Sequence, residues 1–326
     1  MNTPAIVLPV RNRAHCVLQT LDSIAASTLL PAQLIIVDNG STDDSLAVCN
    51  EWARRHQADG IDIRVISEPH PGANVARNRG LAECTATYVA FFDSDDHFDP
   101  GAIADITAAL DAWQAPADLL FLPVLQETGG KTRTRYYHQT DSPATHILTS
   151  MLSTQSMVFR TAWLRDLGGW DEQLTVWQDW ELGLRALLHA PRIHWLTDRP
   201  YHRILVHPDS ITGTSFTQTL DGTLLTMRAA LDDIRKWDTS QPSPTTTTTE
   251  LDHRRDQALT ALYLRAMLMS GHLRREHNPE GAAAYRNLAS IILPHPARPL
   301  RLLGTMLSNY TALGLRGAWR IALACV

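Results

Sequence analysis

The chain has 326 residues, 44% of them hydrophobic and 19% charged, with a formal net charge of −5. That length suits one large domain with an appendage, or two domains. The mildly acidic balance argues against nucleic-acid binding, and the ordinary apolar fraction argues for a globular fold.

Cys16, Cys49, Cys84 and Cys325 are scattered, without Cys-x-x-Cys or a His/Cys metal spacing. They read as reduced, partly buried thiols of a cytosolic protein. The N-terminus opens on a strand-like run and lacks the basic flank and apolar core of a signal peptide. No apolar stretch approaches the roughly 20 residues of a transmembrane helix.

The first third alternates strand and helix. Ala5–Val10 is apolar and suits a buried strand, and Ala14–Ser27 follows with Val17, Leu21 and Ile24 on one helical face. Leu34–Asp38 reads as a strand and Asp43–His56 as a helix with acids in its first turn. Ile61–Ser67 (strand), Ala73–Glu83 (helix) and Thr87–Asp93 (strand) continue the pattern. Such alternation with short connections predicts a mainly parallel sheet with right-handed crossovers. Its ligand edge would collect the strand ends at Pro9, Asp38, Ser67 and Asp93.

A helix over Asp99–Ala115 follows, with Asp99-Pro100 as N-cap and N1. Asp118–Val124, Lys131–Tyr137 and Gln155–Arg160 read as strands, Thr161–Leu167 and Asp179–His189 as short helices, and His194–Thr197 and Tyr201–Val206 as strands. Thr217–Trp237 carries Leu220, Leu224, Met227, Leu231 and Ile234 at helical spacing. Residues Thr239–Thr249, with two prolines and a threonine run, read as an exposed linker. Arg254–Arg275, Glu280–Leu293 and Leu300–Leu323 read as three helices.

The most informative stretch is Tyr88-Val89-Ala90-Phe91-Phe92-Asp93-Ser94-Asp95-Asp96, an apolar strand that ends in three carboxylates. Clustered acids repel one another unless a cation or hydrogen-bonding ligand compensates them. Hard carboxylate oxygens suit Mg²⁺ or Mn²⁺, particularly beside a substrate phosphate. The alternative is an acidic cap for the next helix. Near the second strand end, Asp38 and Asn39 can hydrogen-bond a base or ribose, although Gly40-Ser41-Thr42 also suits a plain turn and N-cap. After the third strand, Gly72 permits a tight helix entry, and Arg77 and Arg79 can neutralise a diphosphate or simply face solvent. Asp179 stands at a helix N-terminus between Trp177 and Trp180, where a carboxylate can act as general base or as a cap. His202 and His207 offer a further metal or phosphate contact, though a lone histidine is more often structural.

In order and spacing, these motifs resemble the inverting family 2 glycosyltransferases of the GT-A fold, across roughly residues 4–215. The resemblance rests on Leu8-Pro9-Val10-Arg11-Asn12, Val37-Asp38-Asn39-Gly40-Ser41-Thr42-Asp43, Ala76-Arg77-Asn78-Arg79-Gly80, Asp93-Ser94-Asp95-Asp96, Gly168-Gly169-Trp170-Asp171-Glu172 and Gln178-Asp179. It implies an α/β fold with a Rossmann-like, mainly parallel sheet and a C-terminal helical extension. A GT-A domain would span 1–237, with a nucleotide-binding half near 1–115 and an acceptor half near 116–215. A linker at 238–250 and a helical subdomain at 251–326 would follow.

By the same resemblance, Pro9, Asp38 and Asn39 would face the nucleotide base, Asp93 the ribose, and Arg77 would be a secondary nucleotide contact. Asp95 would bind Mn²⁺ or Mg²⁺ on the donor diphosphate, with Asp96 beside it and His207 joining the shell. Asp179 would be the base that deprotonates an acceptor hydroxyl, giving inversion in a single displacement. The donor would be a nucleoside-diphosphate sugar, with UDP favoured and dTDP or GDP as alternatives. The acceptor would be a glycan or lipid-linked glycan of bacterial surface polysaccharide biosynthesis. Two positions depart from the family pattern: Asn39 stands where a second acid is common, and Gln178 replaces the usual Glu before the base.

Leu300–Leu323 mixes leucines with Arg298, Arg301, Arg316 and Arg320. It suits a peripheral contact with an anionic membrane, at the inner face of the cytoplasmic membrane. Packing within the subdomain or in a homodimer is the alternative. Two other readings compete: a nucleotidyltransferase, disfavoured because Pro9-Val10-Arg11-Asn12-Arg13 holds no glycine, and a non-catalytic nucleotide-sugar-binding protein.

Overall fold

The computed structural model describes residues 1–57, 60–134, 139–196, 199–206, 215–238 and 247–326. The chain divides into two compact units. The first comprises Met1–Gln139, Leu152–Thr175 and Pro191–Ser210; the second comprises Thr140–Met151, Val176–Ala190 and Ile211–Val326.

The first unit begins with β1 (Ala5–Val10), α1 (Val17–Ala25), β2 (Gln33–Asp38), α2 (Ser45–His56), β3 (Asp62–Ser67), α3 (Ala73–Glu83) and β4 (Tyr88–Phe91). It continues with α4 (Ala102–Ala112), β5 (Leu119–Phe121), β6 (Leu125–Thr128) and β7 (Lys131–Thr134). The chain then enters α5 (Pro143–Thr149) of the second unit and returns for β8 (Met157–Arg160) and α6 (Thr161–Asp166). After α7 (Gln178–Leu188) of the second unit, β9 (Ile193–Trp195) and β10 (Arg203–Val206) complete the first.

A seven-stranded sheet runs β3-β2-β1-β4-β8-β5-β9. Every neighbouring pair is parallel except those of β8, which runs antiparallel to both β4 and β5. This is the mixed α/β architecture expected from strand–helix alternation. The central strands β1 and β2 are buried almost throughout, so they read as continuous apolar runs. Register pairs Val10 with Asp38, Asp38 with Ser67 and Val7 with Phe91, which brings the ends of β1, β2 and β4 to one carboxyl edge. Helix α3 approaches β1 closely because Gly80 has no side chain; a Cβ there would stand 2.3 Å from Val7 Cγ1. A small second sheet, β10-β6-β7, is tied to the segment after the acids by an antiparallel bridge between His97 and Arg203.

The second unit adds α8 (Leu220–Lys236), α9 (Thr248–Arg275), α10 (Pro279–Ile292), α11 (Arg298–Ala312) and α12 (Ala318–Leu323) to α5 and α7. Leu262, Leu264, Leu268 and Met269 of α9 are fully buried, and Ile147, Leu184, Met227 and Leu231 share their core. That shared core groups α5, α7 and α8 with the C-terminal helices, whereas the sequence reading keeps residues 1–237 together. No described helix is long and apolar enough to cross a membrane.

Several local expectations shift. Helix α4 starts at Ala102, because Asp99 is used in a turn that accepts from Gly101 N at 2.9 Å and pairs with Arg199 at 2.8 Å. The helix expected over Leu300–Leu323 is two helices, since Gly314 (φ 75°) and Gly317 (φ 98°) take the left-handed conformation between them. Helix α5 was not expected; Ser142 caps it and Pro143 occupies its first turn. Most of the expected linker, and His207, lie outside the described residues.

Candidate active site at the carboxyl edge of the sheet

The loops after β1 and β2 are laced together. Asn12, at φ 52°, accepts through its side chain from Thr42 N at 2.8 Å, and its own N–H donates to Ser41 Oγ at 3.0 Å. Arg13 N donates to Ser45 Oγ at 2.7 Å, and Ala14 N to Asp43 at 3.1 Å. The Gly-Ser-Thr-Asp segment therefore shapes the neighbouring loop as well as leading into its own helix.

Past β4, the three acids have different surroundings. Asp93 accepts from Arg77 Nη2 at 2.9 Å and from Gln155 Nε2 at 2.8 Å. Asp95 receives Arg13 Nη2 at 3.3 Å and keeps 23% of its side chain accessible. Asp96 is buried, with one oxygen taken by Leu205 N at 2.8 Å and the other by Gln155 Nε2. Burial, reinforced by the Asp93 and Asp95 charges, pushes the Asp96 carboxyl well above the usual range. Asp96 thus ties β10 to the acid loop, and both its oxygens are engaged by protein donors. Arg13 and Gln155 had no role in the sequence reading; each reaches the acids from a remote segment that carries no local signature.

Arg77 is 7% exposed. It bridges Asn74 at 3.0 Å and Asp93, with its guanidinium 4.6 Å from the centroid of Trp170. It is therefore a support behind Asp93, not a surface cation. Arg79 instead pairs along its own helix with Glu83 at 2.9 Å. Asn74 and Asn78 clamp the Gly-Gly-Trp-Asp-Glu loop: Asn74 donates to Asp171 O at 2.6 Å, and Asn78 accepts from Trp170 N at 2.9 Å.

At the end of β2, Asp38 is 2% exposed, and its Oδ2 accepts from Ser41 N at 3.3 Å. Its Oδ1 is buried and has no hydrogen-bond partner among the described residues. A buried acceptor left in this state is costly, and it marks a place where a ligand donor can complete the set. Asn39 is different. It donates to His70 O at 2.6 Å and to Glu68 O at 3.3 Å, and accepts from Gly72 N at 2.7 Å. Its amide braces the loop into α3, where the sequence reading has it facing a base. Pro9 lies beside them in β1, paired with Val37 and only partly buried. His202 is also spoken for: it packs on Phe92 and Phe98, accepts from Asp99 N at 3.4 Å, and burial holds its pKa down to about 3.

Asp179 belongs to the second unit, in the first turn of α7, and its Oδ1 accepts from Trp180 N at 2.9 Å. The preceding Trp177 holds a left-handed conformation at φ 55°, an uncommon state for a bulky residue. Behind this turn, Arg265 is buried with its guanidinium 4.4 Å from the Trp177 ring and 4.7 Å from Trp180. Burial lowers the Arg265 pKa to about 10, and the Asp179 charge partly offsets the shift.

Among the described residues, no group of three or more His, Cys, Asp or Glu side chains is arranged to hold a metal ion. The donor chemistry of the acid loop fits a divalent ion only in part. Asp95 offers hard oxygens at an accessible position, whereas Asp96 is engaged by protein donors on both sides.

The Glycosyl transferase family 2 profile matches residues 5–168, half of the chain. The chain belongs to glycosyltransferase family 2. Among curated relatives, it is 24% identical over 233 residues to the uncharacterized glycosyltransferase EpsJ of Bacillus subtilis, covering 67% of this chain and 65% of that one. It is 30% identical over 133 residues to the uncharacterized glycosyltransferase YibD of Escherichia coli, covering 39% and 36% respectively. The chain thus spans less than two thirds of the length of both relatives. Among solved structures, S. aureus TarS 1–349 with UDP-GlcNAc superimposes with a TM-score of 0.65 at 19% identity, covering 95% of this chain and 92% of that one. The mannosyltransferase PcManGT from Pyrobaculum calidifontis, in complex with GDP-Man and Mn²⁺, gives a TM-score of 0.53 at 16% identity, covering 98% and 86%. These likenesses establish the GT-A fold of this family 2 glycosyltransferase.

Proposed function

We propose that the chain transfers a sugar, with inversion, from a nucleoside-diphosphate donor to a hydroxyl of a glycan or glycolipid in bacterial surface polysaccharide biosynthesis. The observation that carries this reading is Asp38 Oδ1, a buried acceptor at the carboxyl edge without a partner among the described residues. A base N–H or ribose hydroxyl satisfies it, with Pro9 lining the same edge. Asn39 and Arg77 act indirectly, by fixing the loop into α3 and by holding Asp93 toward the ribose. UDP is the favoured nucleotide because TarS is known in complexes with UDP and UDP-GlcNAc; dTDP and GDP are the alternatives, the latter by likeness to PcManGT.

Asp95 is the residue we assign to a Mn²⁺ or Mg²⁺ ion, with Asp96 behind it and His207, outside the described residues, as a further ligand. Bound there, the ion neutralises charge that develops on the departing diphosphate. Asp179 takes the proton of the acceptor hydroxyl as the bond to the anomeric carbon forms and the bond to the diphosphate oxygen breaks. The nucleotide-binding half is assigned to residues 1–115 and the acceptor half to 116–215. The C-terminal helices are assigned a peripheral position on the inner face of the cytoplasmic membrane.

Calorimetric titration of UDP, dTDP and GDP, with and without Mn²⁺, tests the donor site. One nucleotide should bind in a metal-dependent way, with binding lost in Asp95→Ala. Asp179→Asn should bind that nucleotide normally and fail to turn over. Metal-independent binding in Asp95→Ala, or full turnover by Asp179→Asn, would overturn these assignments.

A further inference from the structure

Charge is unevenly spread along this chain. Residues 281–326 contain Arg286, Arg298, Arg301, Arg316 and Arg320 and no Asp, Glu or Lys, which makes +5. The whole chain carries −5, so residues 1–280 carry −10.

Large apolar side chains in the same stretch face outward. Leu302 is 60% exposed, Met306 47%, Leu313 76%, Leu315 50% and Ile321 37%. Spacings of four and seven residues put Leu302, Met306 and Leu313 on one stripe of α11 and its C-terminal turn, next to Arg298 and Arg301. The opposite stripe packs on α9 and is made mostly of small residues. Gly304 lies against Tyr263 and Met267, while Ser308 and Thr311 lie against Gly271. Leu307 is the large apolar residue that the inward stripe buries completely. The core of the second unit therefore does not account for the outward leucines.

Beside Leu313 and Leu315 lies a cavity of about 400 Å³, lined by His272, Arg275, Arg316, Trp319 and the Gly314–Gly317 turn. Two guanidiniums at its wall suit phosphate oxygens, which arginine contacts through paired N–H groups. The nearby acid, Glu276, is used elsewhere: it accepts from Phe216 N at 3.1 Å and Thr217 N at 2.7 Å.

We infer that α11, the Gly314–Gly317 turn and α12 form a docking surface for an anionic phospholipid bilayer. Leu302, Met306, Leu313 and Leu315 enter the acyl boundary, and Arg275 and Arg316 hold a lipid phosphate. The argument for a lipid surface over a second copy of the chain is charge. A two-fold contact would oppose one acid-free arginine cluster to another, whereas an anionic leaflet neutralises it. This inference deepens the membrane position proposed above and does not depend on the transfer reaction.

The test is co-sedimentation of the full chain with vesicles of phosphatidylcholine alone or with about 30% phosphatidylglycerol, a level that gives a negative surface potential. Binding is expected only to the anionic vesicles and should weaken as salt rises. Arg316→Ala/Arg320→Ala should bind roughly tenfold or more weakly, since each basic residue near such a surface contributes about a fivefold factor. Leu302→Ser/Leu313→Ser should also bind roughly tenfold more weakly. Equal binding to both vesicle types, no binding to either, or undiminished binding by the variants would overturn the inference. So would a wild-type dimer, seen by light scattering, that Leu302→Ser/Leu313→Ser dissociates. Melting temperature and UDP affinity, unchanged in the variants, report that the fold is intact. Vesicle binding by a wild type that binds no nucleotide would sink the donor-site reading and leave this one standing.

Discussion

Arg77 Nη2 lies 2.9 Å from Asp93 Oδ1, so the interior of α3 is wired to the first acid after β4. The arginine is the more buried partner, and removing it leaves Asp93 without its cation. Arg77→Met should cost about 2–4 kcal/mol of stability by denaturant titration. It should also weaken nucleotide binding. Arg77→Lys should rescue little, because one ammonium cannot span Asn74 and Asp93 while lying flat on Trp170.

Asp38 separates binding from stability. Its Oδ1, without a partner among the described residues, costs free energy in the free protein, and a ligand donor bound as proposed would recover that cost. Asp38→Asn should keep or raise the melting temperature while weakening nucleotide affinity by about tenfold, or 1.4 kcal/mol. Calorimetry and a thermal melt on one preparation decide it; unchanged affinity would remove Asp38 from the site.

Asn39 should fail as an acid. Its Nδ2 donates to two carbonyls, and Asn39→Asp would set carboxylate oxygens against Glu68 O and His70 O. We expect a loss of about 2–3 kcal/mol and impaired nucleotide binding. Backbone amide exchange over residues 68–72 should rise in the variant.

His202 gives the fold an acid limit. Its folded pKa, about 3, lies below the ordinary value of 6.5, so the unfolded chain binds the extra proton. Stability from this residue is complete above about pH 6.5 and falls as pH drops toward 3, by about 2 kcal/mol at pH 5. His202→Phe should be less stable at pH 7.5 but should lose much of that acid slope. Thermal melts of both proteins from pH 5 to 7.5 measure the difference.

The Rossmann-like half was largely legible in the sequence. Strand β1 and helix α3 have the boundaries that apolar runs and helical spacing predict, because burial of the central strands and a glycine-defined helix entry are local signals. The motif residues gather at the sheet edge for the same reason. What stayed hidden was which of them are committed inward. Asn39, Arg77 and Asp96 read as ligand-facing, yet each is held by protein partners such as His70 O, Asn74 and Gln155, which lie 3 to 59 residues away. Arg13 and Gln155 could not be singled out, since nothing near them in sequence marks the contact with an acid. The break at Gly314 was visible as composition, but leucines on either side continued the helical period.

The lacing of the first two loops, Asn12 to Thr42 and Arg13 to Ser45, has a consequence for how such an enzyme can change its donor. Arg13 also reaches Asp95, so three loops hold one another's shape. Transplanting a single loop from a relative would discard half of each hydrogen-bonded pair, and the recipient loops would lose their conformation with it. On the proposed donor site, donor preference would be inherited as a set, and productive change should require paired replacements across the β1 and β2 loops.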